Sequence, residues 1–349
     1  MLSKKLILFC LSLFLSIGAF AHAVLDIMPE PQPYNVTTYT GNTSNKSVKQ
    51  RTFIKERGGR KDFFSTEFYD ILGRTTGISY TSGKKTPDVS YEYYPGQNMS
   101  IWRTEGKDKS ITVHKTVYRG PGDEPPLFTE SATTLKGDTL SINNARFEYN
   151  ADGLLLKRQD FLKHKVYATK TYRYDQKDLV WAEVRSPYSP TYNAVKFSYD
   201  NNHHVITATD YFFRPGKTDT VASFFYTYDK DKLIAERDID PSDPKKYISI
   251  NYTYDDNGRI SSMVSKEDTL YRQTTFQYTG KLLTKVTVKA NDPYKLGKGY
   301  YTTSPNALTK MPMTNEFTYV YDDKGYLIKL TEVLNGVMLS ALTYEMEYY

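Results

Sequence analysis

Apolar and polar residues alternate along most of this chain with a period of two, the signature of strands that have one covered face. The pattern is sharpest where two aromatic residues flank a polar one. Phe147 and Tyr149 flank Glu148, Tyr172 and Tyr174 flank Arg173, and Phe197 and Tyr199 flank Ser198. Tyr226 and Tyr228 flank Thr227, and Tyr252 and Tyr254 flank Thr253. Each aromatic pair opens a recurring unit: Asp follows the second aromatic residue, Gly comes three residues later, and an aliphatic residue stands two after the Gly. The clearest copies are YTYDDNGRI at 252–260 and YVYDDKGYL at 319–327. Weaker copies lie at 147–155, 172–180, 197–205, 226–234 and 276–283, with poorer ones at 68–74 and 91–99. Most steps between the central tyrosines, such as Tyr149, Tyr174, Tyr199, Tyr228, Tyr254 and Tyr278, are 24 to 29 residues.

Turn chemistry explains the unit. Asp favours the first position of a type I turn, and a Gly three residues on, in the left-handed conformation, closes a hairpin through a bulge. Asp255 to Gly258 and Asp322 to Gly325 fit that rule. The residue before the Asp then faces the residue two after the Gly, which predicts Tyr149 opposite Leu155, Tyr174 opposite Val180 and Tyr199 opposite Val205. Tyr228 opposite Ile234, Tyr254 opposite Ile260 and Tyr321 opposite Leu327 follow from the same offset. A unit of about 25 residues leaves room for two turns and two strands of ordinary length. The predicted fold is therefore all-β, with tandem β-hairpin repeats over residues 66–349 forming a long curved antiparallel meander sheet. Its aromatic face must be covered, by the sheet curling on itself or folding into two layers. GPGDEPP at 120–126, SPYSP at 186–190 and DPSDP at 240–244 read as longer connections. Residues 24–65 lack the repeat and read either as a leader or as one edge strand pair.

These units resemble the YD repeat of Rhs-type bacterial proteins, in which a Tyr-Asp unit with a following Gly recurs in tandem. The resemblance covers roughly four fifths of the chain. It implies a hairpin array winding into a curved or spiralling sheet, in a secreted or cell-envelope protein that serves as a shell, scaffold or interaction surface. Asn150, Tyr94 and Thr279 depart from the pattern at the Asp position, and Asp178, His203 and Lys232 at the Gly position. Repeat-like residues continue to Tyr349, so a shell around a following toxin domain is not expected.

Residues 1–23 read as a signal peptide, with Lys4 and Lys5 ahead of the apolar run Leu6 to Phe20 and small residues at Ala19, Ala21 and Ala23. The expected location is outside the cytoplasm: periplasmic, cell-surface or secreted. Cys10, the single cysteine, lies in that run, which excludes disulfides and thiolate chemistry from the mature chain. No later stretch suits a transmembrane helix. The chain has 46 basic and 40 acidic residues, too small an excess to point to nucleic acid.

Catalytic motifs are not found: there is no GxSxG, HExxH, phosphate-binding loop or cysteine pair. No catalytic, cofactor or metal residue is assigned. His203 and His204 are adjacent in a repeat turn and so point to opposite faces, which suits exposed turn residues better than metal ligands. The acidic turns at Asp255 and Asp322 lack the alternating ligands of a calcium loop. Trp102 and Trp181 suit half-buried packing, or a flat surface for a sugar or partner. The functional expectation is an exported, non-enzymatic repeat scaffold or binding protein whose partner is an unidentified protein or glycan of the envelope. An envelope polysaccharide hydrolase is one alternative. The other is an outer-membrane β-barrel, disfavoured because both turns of each unit are short and Lys157, Glu236 and Lys329 are expected on the aromatic face, where lipid would penalise them. The candidate binding loop is the insertion after Ala290, with Tyr294, Lys295, Lys298, Tyr300, Tyr301 and Lys310 mixing aromatics with cations.

Overall fold

The computed structural model describes residues 47–349 except 58, 81–87, 107, 121–124, 246, 268–269 and 292–312. The signal-peptide reading of residues 1–23 and the candidate loop from Tyr294 to Lys310 lie outside the described residues. The regular structure is almost entirely strand. Strands β1 to β11 are Val48–Arg57, Arg60–Tyr69, Thr75–Ser79, Val89–Tyr94, Met99–Glu105, Ile111–Tyr118, Pro126–Leu135, Asp138–Tyr149, Leu155–Leu162, Lys165–Asp175 and Asp178–Arg185. Strands β12 to β22 are Tyr192–Tyr199, Val205–Arg214, Lys217–Asp229, Lys232–Ile239, Tyr247–Tyr254, Ile260–Glu267, Leu270–Thr279, Leu282–Ala290, Met313–Tyr321, Leu327–Leu334 and Val337–Tyr348.

Each strand pairs antiparallel with the next, and β1 also pairs antiparallel with β22, from Val48 opposite Tyr348 to Glu56 opposite Ala341. That ladder closes the sheet into a 22-stranded up-and-down barrel with no free edge. The expected open meander is corrected by it, and so is the likeness to a winding YD-repeat array. The Tyr-Asp units are turns along one rim of a closed ring. The ring closes because β1 and β22 bring matching faces to the seam: Phe53 lies opposite Tyr344, and Lys49 pairs with Glu347 at 2.6 Å.

The repeat turns carry the local rules read from sequence. Gly258 and Gly325 have φ of 76° and 81°, a conformation open to glycine at no steric cost. In both turns the Asp carboxylate accepts backbone N–H bonds from residues two and four further on, at 2.7–3.0 Å. Asn150 accepts the same bond from Leu154, and His203 stands in for Gly at φ 64°. Tyr149, Tyr199, Tyr254 and Tyr321 lie opposite Leu155, Val205, Ile260 and Leu327, as the offset predicts. Tyr174 and Tyr228 instead lie opposite Leu179 and Leu233. Without the Gly these hairpins tighten to two-residue turns, with Gln176 and Lys230 left-handed at 54° and 53°.

A bulge follows these turns and switches the facing of the next strand. For this reason Lys157 and Lys329 lie on the polar face, opposite Glu148 and Val320, while Glu236 does lie on the aromatic face, opposite Tyr226. The expectation that all three share the aromatic face is corrected by the bulges.

In a closed sheet inward side chains converge and cover one another, while outward ones splay. Tyr172, Phe197, Tyr252, Phe276, Phe317 and Tyr319 are buried, whereas the alternating Arg173, Lys196, Thr253, Gln277 and Thr318 are exposed. The aromatic face is the inside of the barrel. Its largest continuous apolar layer runs from Leu233 through Tyr252, Phe276 and Phe317 to Phe53.

Candidate functional site

Closure makes the inner wall the chemical centre of the molecule. At the rim of the repeat turns, tyrosine hydroxyls bind neighbouring hairpins together. The hydroxyls of Tyr93, Tyr149, Tyr174 and Tyr199 donate to the carbonyls of Thr75, Pro126, Leu155 and Leu179 at 2.8–3.0 Å. Those of Tyr254, Tyr278 and Tyr321 donate to Leu233, Ile260 and Leu283 at 2.7–3.0 Å. Each bond lies beyond the last paired residues of its ladder; β15 and β16 stop at Ala235 opposite Asn251. The hydroxyl therefore satisfies a carbonyl that the ladder leaves free. Burial pushes the Tyr93 and Tyr199 hydroxyls up to about 12, which keeps them protonated as donors.

Polar groups occupy the inner wall further from this rim. Arg51 pairs with Glu67 at 2.9 Å, and Tyr69 bonds to both. Arg158 holds Asp160 at 2.8 Å. Glu332 accepts from Asn315 at 3.1 Å and from Ser340 at 3.0 Å. Glu236 accepts a hydrogen bond from the Tyr252 hydroxyl. Asp210 differs from these. It is 1% exposed, flanked in its row by Val195 and Ala222, and its Oδ1 has no hydrogen-bond partner. Burial pushes its carboxyl up to about 6. Asp238, two strands away, is also pushed up to about 6, by burial first and then by the charges of Asp240 and Glu267. Sequence reading missed both; the signal was an acid at an inward position within apolar runs, as in Ala208, Asp210 and Phe212.

The residues singled out from sequence are dispersed. His203 Nδ1 lies 2.8 Å from Asp178, while His204 lies 3.1 Å from Asp200 and stacks on Tyr228 at 4.5 Å. Trp102 faces inward and stacks on His114 at 3.6 Å. Trp181 faces outward, in line with Lys196. Among the described residues no group of three or more His, Cys, Asp or Glu side chains is placed to hold a metal ion.

No family model and no curated protein sequence matches this chain. Among solved structures, the crystal structure of TcdB2-TccC3 shares 12% identity over 83% of this chain, at a TM-score of 0.43; the match spans 19% of that chain. A porin-like protein from Bacteroides uniformis shares 12% identity over 91% of this chain and 100% of its own length, at a TM-score of 0.27. A porin-like protein from Bacteroides vulgatus shares 12% over 86% of this chain and 98% of its own, at 0.24. At these levels the barrel rests on its own strand pairings. The protein is a closed antiparallel β-barrel. The scaffold reading, in which an open repeat sheet presents a binding surface, is corrected by the β1–β22 closure. Of the alternatives weighed on sequence, the β-barrel is the one whose architecture is found.

Proposed function

We propose that this chain is a transport-type barrel of the cell envelope, acting through the space it encloses. The observation that carries this reading is the closure of β1 on β22 into a ring of 22 strands, a strand number at which barrels in general are wide enough to hold a channel or a guest. An even strand number, nearest-neighbour antiparallel pairing and a seam between first and last strands are also features of outer-membrane barrels. The exterior sets this barrel apart from those, because Gln273, Gln277, Lys285, Lys289, Glu316 and Lys329 face outward where lipid demands an apolar band. The barrel therefore stands in water, in the periplasm or at the cell surface, and a guest entering it meets tyrosines, phenylalanines and carboxylates.

Cysteine accessibility tests the reading, since Cys10 is the single cysteine. Ser265→Cys places a thiol on the inner wall and Thr275→Cys one outside. Both should react with a small maleimide, and only Thr275→Cys with a bulky polymer-linked one. An inner thiol inert to both reagents would mean a filled interior and would sink the transport reading. Recovery without detergent should accompany it; detergent-dependent recovery and heat-shifted gel mobility would instead place the barrel in lipid.

A further inference from the structure

The outer wall is not uniform. Across β16 and β18 the outward positions Ser249, Asn251, Thr253, Gln273, Thr275 and Gln277 are small or polar, with single rings only at the strand ends, Tyr247 and Tyr271. Across β10 to β13 the outward positions form a different grid. One row runs Arg173, Trp181, Lys196, and a second runs Arg185, Tyr192, Phe213. Ala194 and Tyr211 lie between the two.

These side chains are organised. Tyr192 and Phe213 stack at 4.4 Å with rings 4° from parallel, and Trp181 and Tyr211 lie 6.3 Å apart at 25°. The Arg185 guanidinium sits 3.7 Å from the Tyr192 ring centre, and that of Arg173 4.9 Å from Trp181. Ala194, between Glu183 and Tyr211, is 0% exposed although it points outward. The lone acid of the grid, Glu183, is consumed within it, accepting from Arg185 at 2.9 Å and from Trp181 Nε1 at 3.1 Å. The strip thus offers a fixed ridge of stacked rings with a surplus of cations, Arg173 and Lys196.

We propose that this strip binds an acidic polysaccharide chain. Stacked on one another, the rings form a rigid apolar ridge against which the carbon faces of a sugar can pack at little entropic cost. The Arg173 guanidinium supplies paired donors for carboxylate or sulfate oxygens, and the exposed Lys196 a second cation. The strip spans four strands, about 14 Å of wall, so it suits an extended polymer more than a compact anion. An acidic peptide fits less well: the closed ladder has no free edge for strand addition, and the half-buried rings leave no pocket for an anchoring side chain. This inference concerns the outer wall and stands apart from the transport reading.

Affinity electrophoresis of the mature barrel through gels containing alginate or neutral dextran tests it, with polyglutamate as the acidic-peptide comparator. Alginate should retard the barrel and dextran should not. Phe213→Ala with Trp181→Ala, and separately Lys196→Glu, should each weaken alginate binding about tenfold while circular dichroism stays unchanged. Lys196 is exposed, so its substitution reports even if the ring variant is unstable. Unretarded migration in alginate, retardation indifferent to loss of the rings, or polyglutamate binding that equals alginate and falls in the same variants would each overturn the proposal.

Discussion

Phe53 on the first strand and Tyr344 on the last meet edge to face, ring centres 4.9 Å apart and planes at 73°. Both are buried, and they join the inner apolar layer across the seam. Tyr344→Ala or Phe53→Ala should destabilise the barrel by about 3–5 kcal/mol, the usual cost of deleting a buried aromatic ring, measured in denaturant melts. A loss under about 1 kcal/mol would mean that the seam is not closed.

The same seam can be locked. Thr52 lies directly opposite Glu345, and such pairs sit about 4.5–5.5 Å apart, within reach of a disulfide. Thr52→Cys with Glu345→Cys should oxidise readily and raise the melting temperature. Failure to cross-link under mild oxidant would contradict the ring.

Gly258→Val should destabilise by about 1–3 kcal/mol, because a β-branched residue resists the left-handed backbone there. Thr253→Ala, on the exposed outer face of the same hairpin, should cost far less. Equal losses would show that the turn is not held in that conformation.

Tyr254→Phe deletes only the hydroxyl bonded to the Leu233 carbonyl, and should cost about 0.5–1.5 kcal/mol. Hydrogen exchange should quicken locally, where β15 and β16 part beyond their ladder. A variant indistinguishable from the parent in both measurements would remove the tyrosine bonds from the account of rim stability.

Asp210 sets an expected pH dependence. Its folded carboxyl titrates near 6 against an ordinary 3.8, so folding favours the protonated form. The stabilising effect is full below about 4 and is lost as the pH rises through 6. Asp210→Asn should therefore stabilise the barrel at pH 7.5, by up to about 3 kcal/mol, and do so much less at pH 4. A variant that is equally stabilising at both pH values would show that Asp210 is charged throughout.

Much of the local structure was legible because it is set by short-range rules. Gly258, Gly325 and the Asp carboxylates before them fix turns whose geometry follows from a few residues, and strand alternation gave the aromatic face. Closure was not legible, because it depends on a match between residues such as Phe53 and Tyr344 that no periodicity links. The facing of Lys157 and Lys329 was misread because a bulge carries no reliable residue signature. Asp210 escaped notice because a single acid in a strand looks like any solvent-facing residue until the bulges assign its side.

The closing ladder also dictates an order of events in the cell. Lys49 and Glu347, joined across the seam, are 298 residues apart in the chain, so the contact cannot form until β22 has been synthesised. Until then the growing sheet has two unpaired edges, β1 on one side and the newest strand on the other, each a template for any passing strand. Long-range closure of this kind is slow, and its intermediates are prone to aggregate. The open sheet is thus the stage of folding most exposed to aggregation. Loss of β22 by premature termination would yield an open, sticky sheet rather than a smaller barrel.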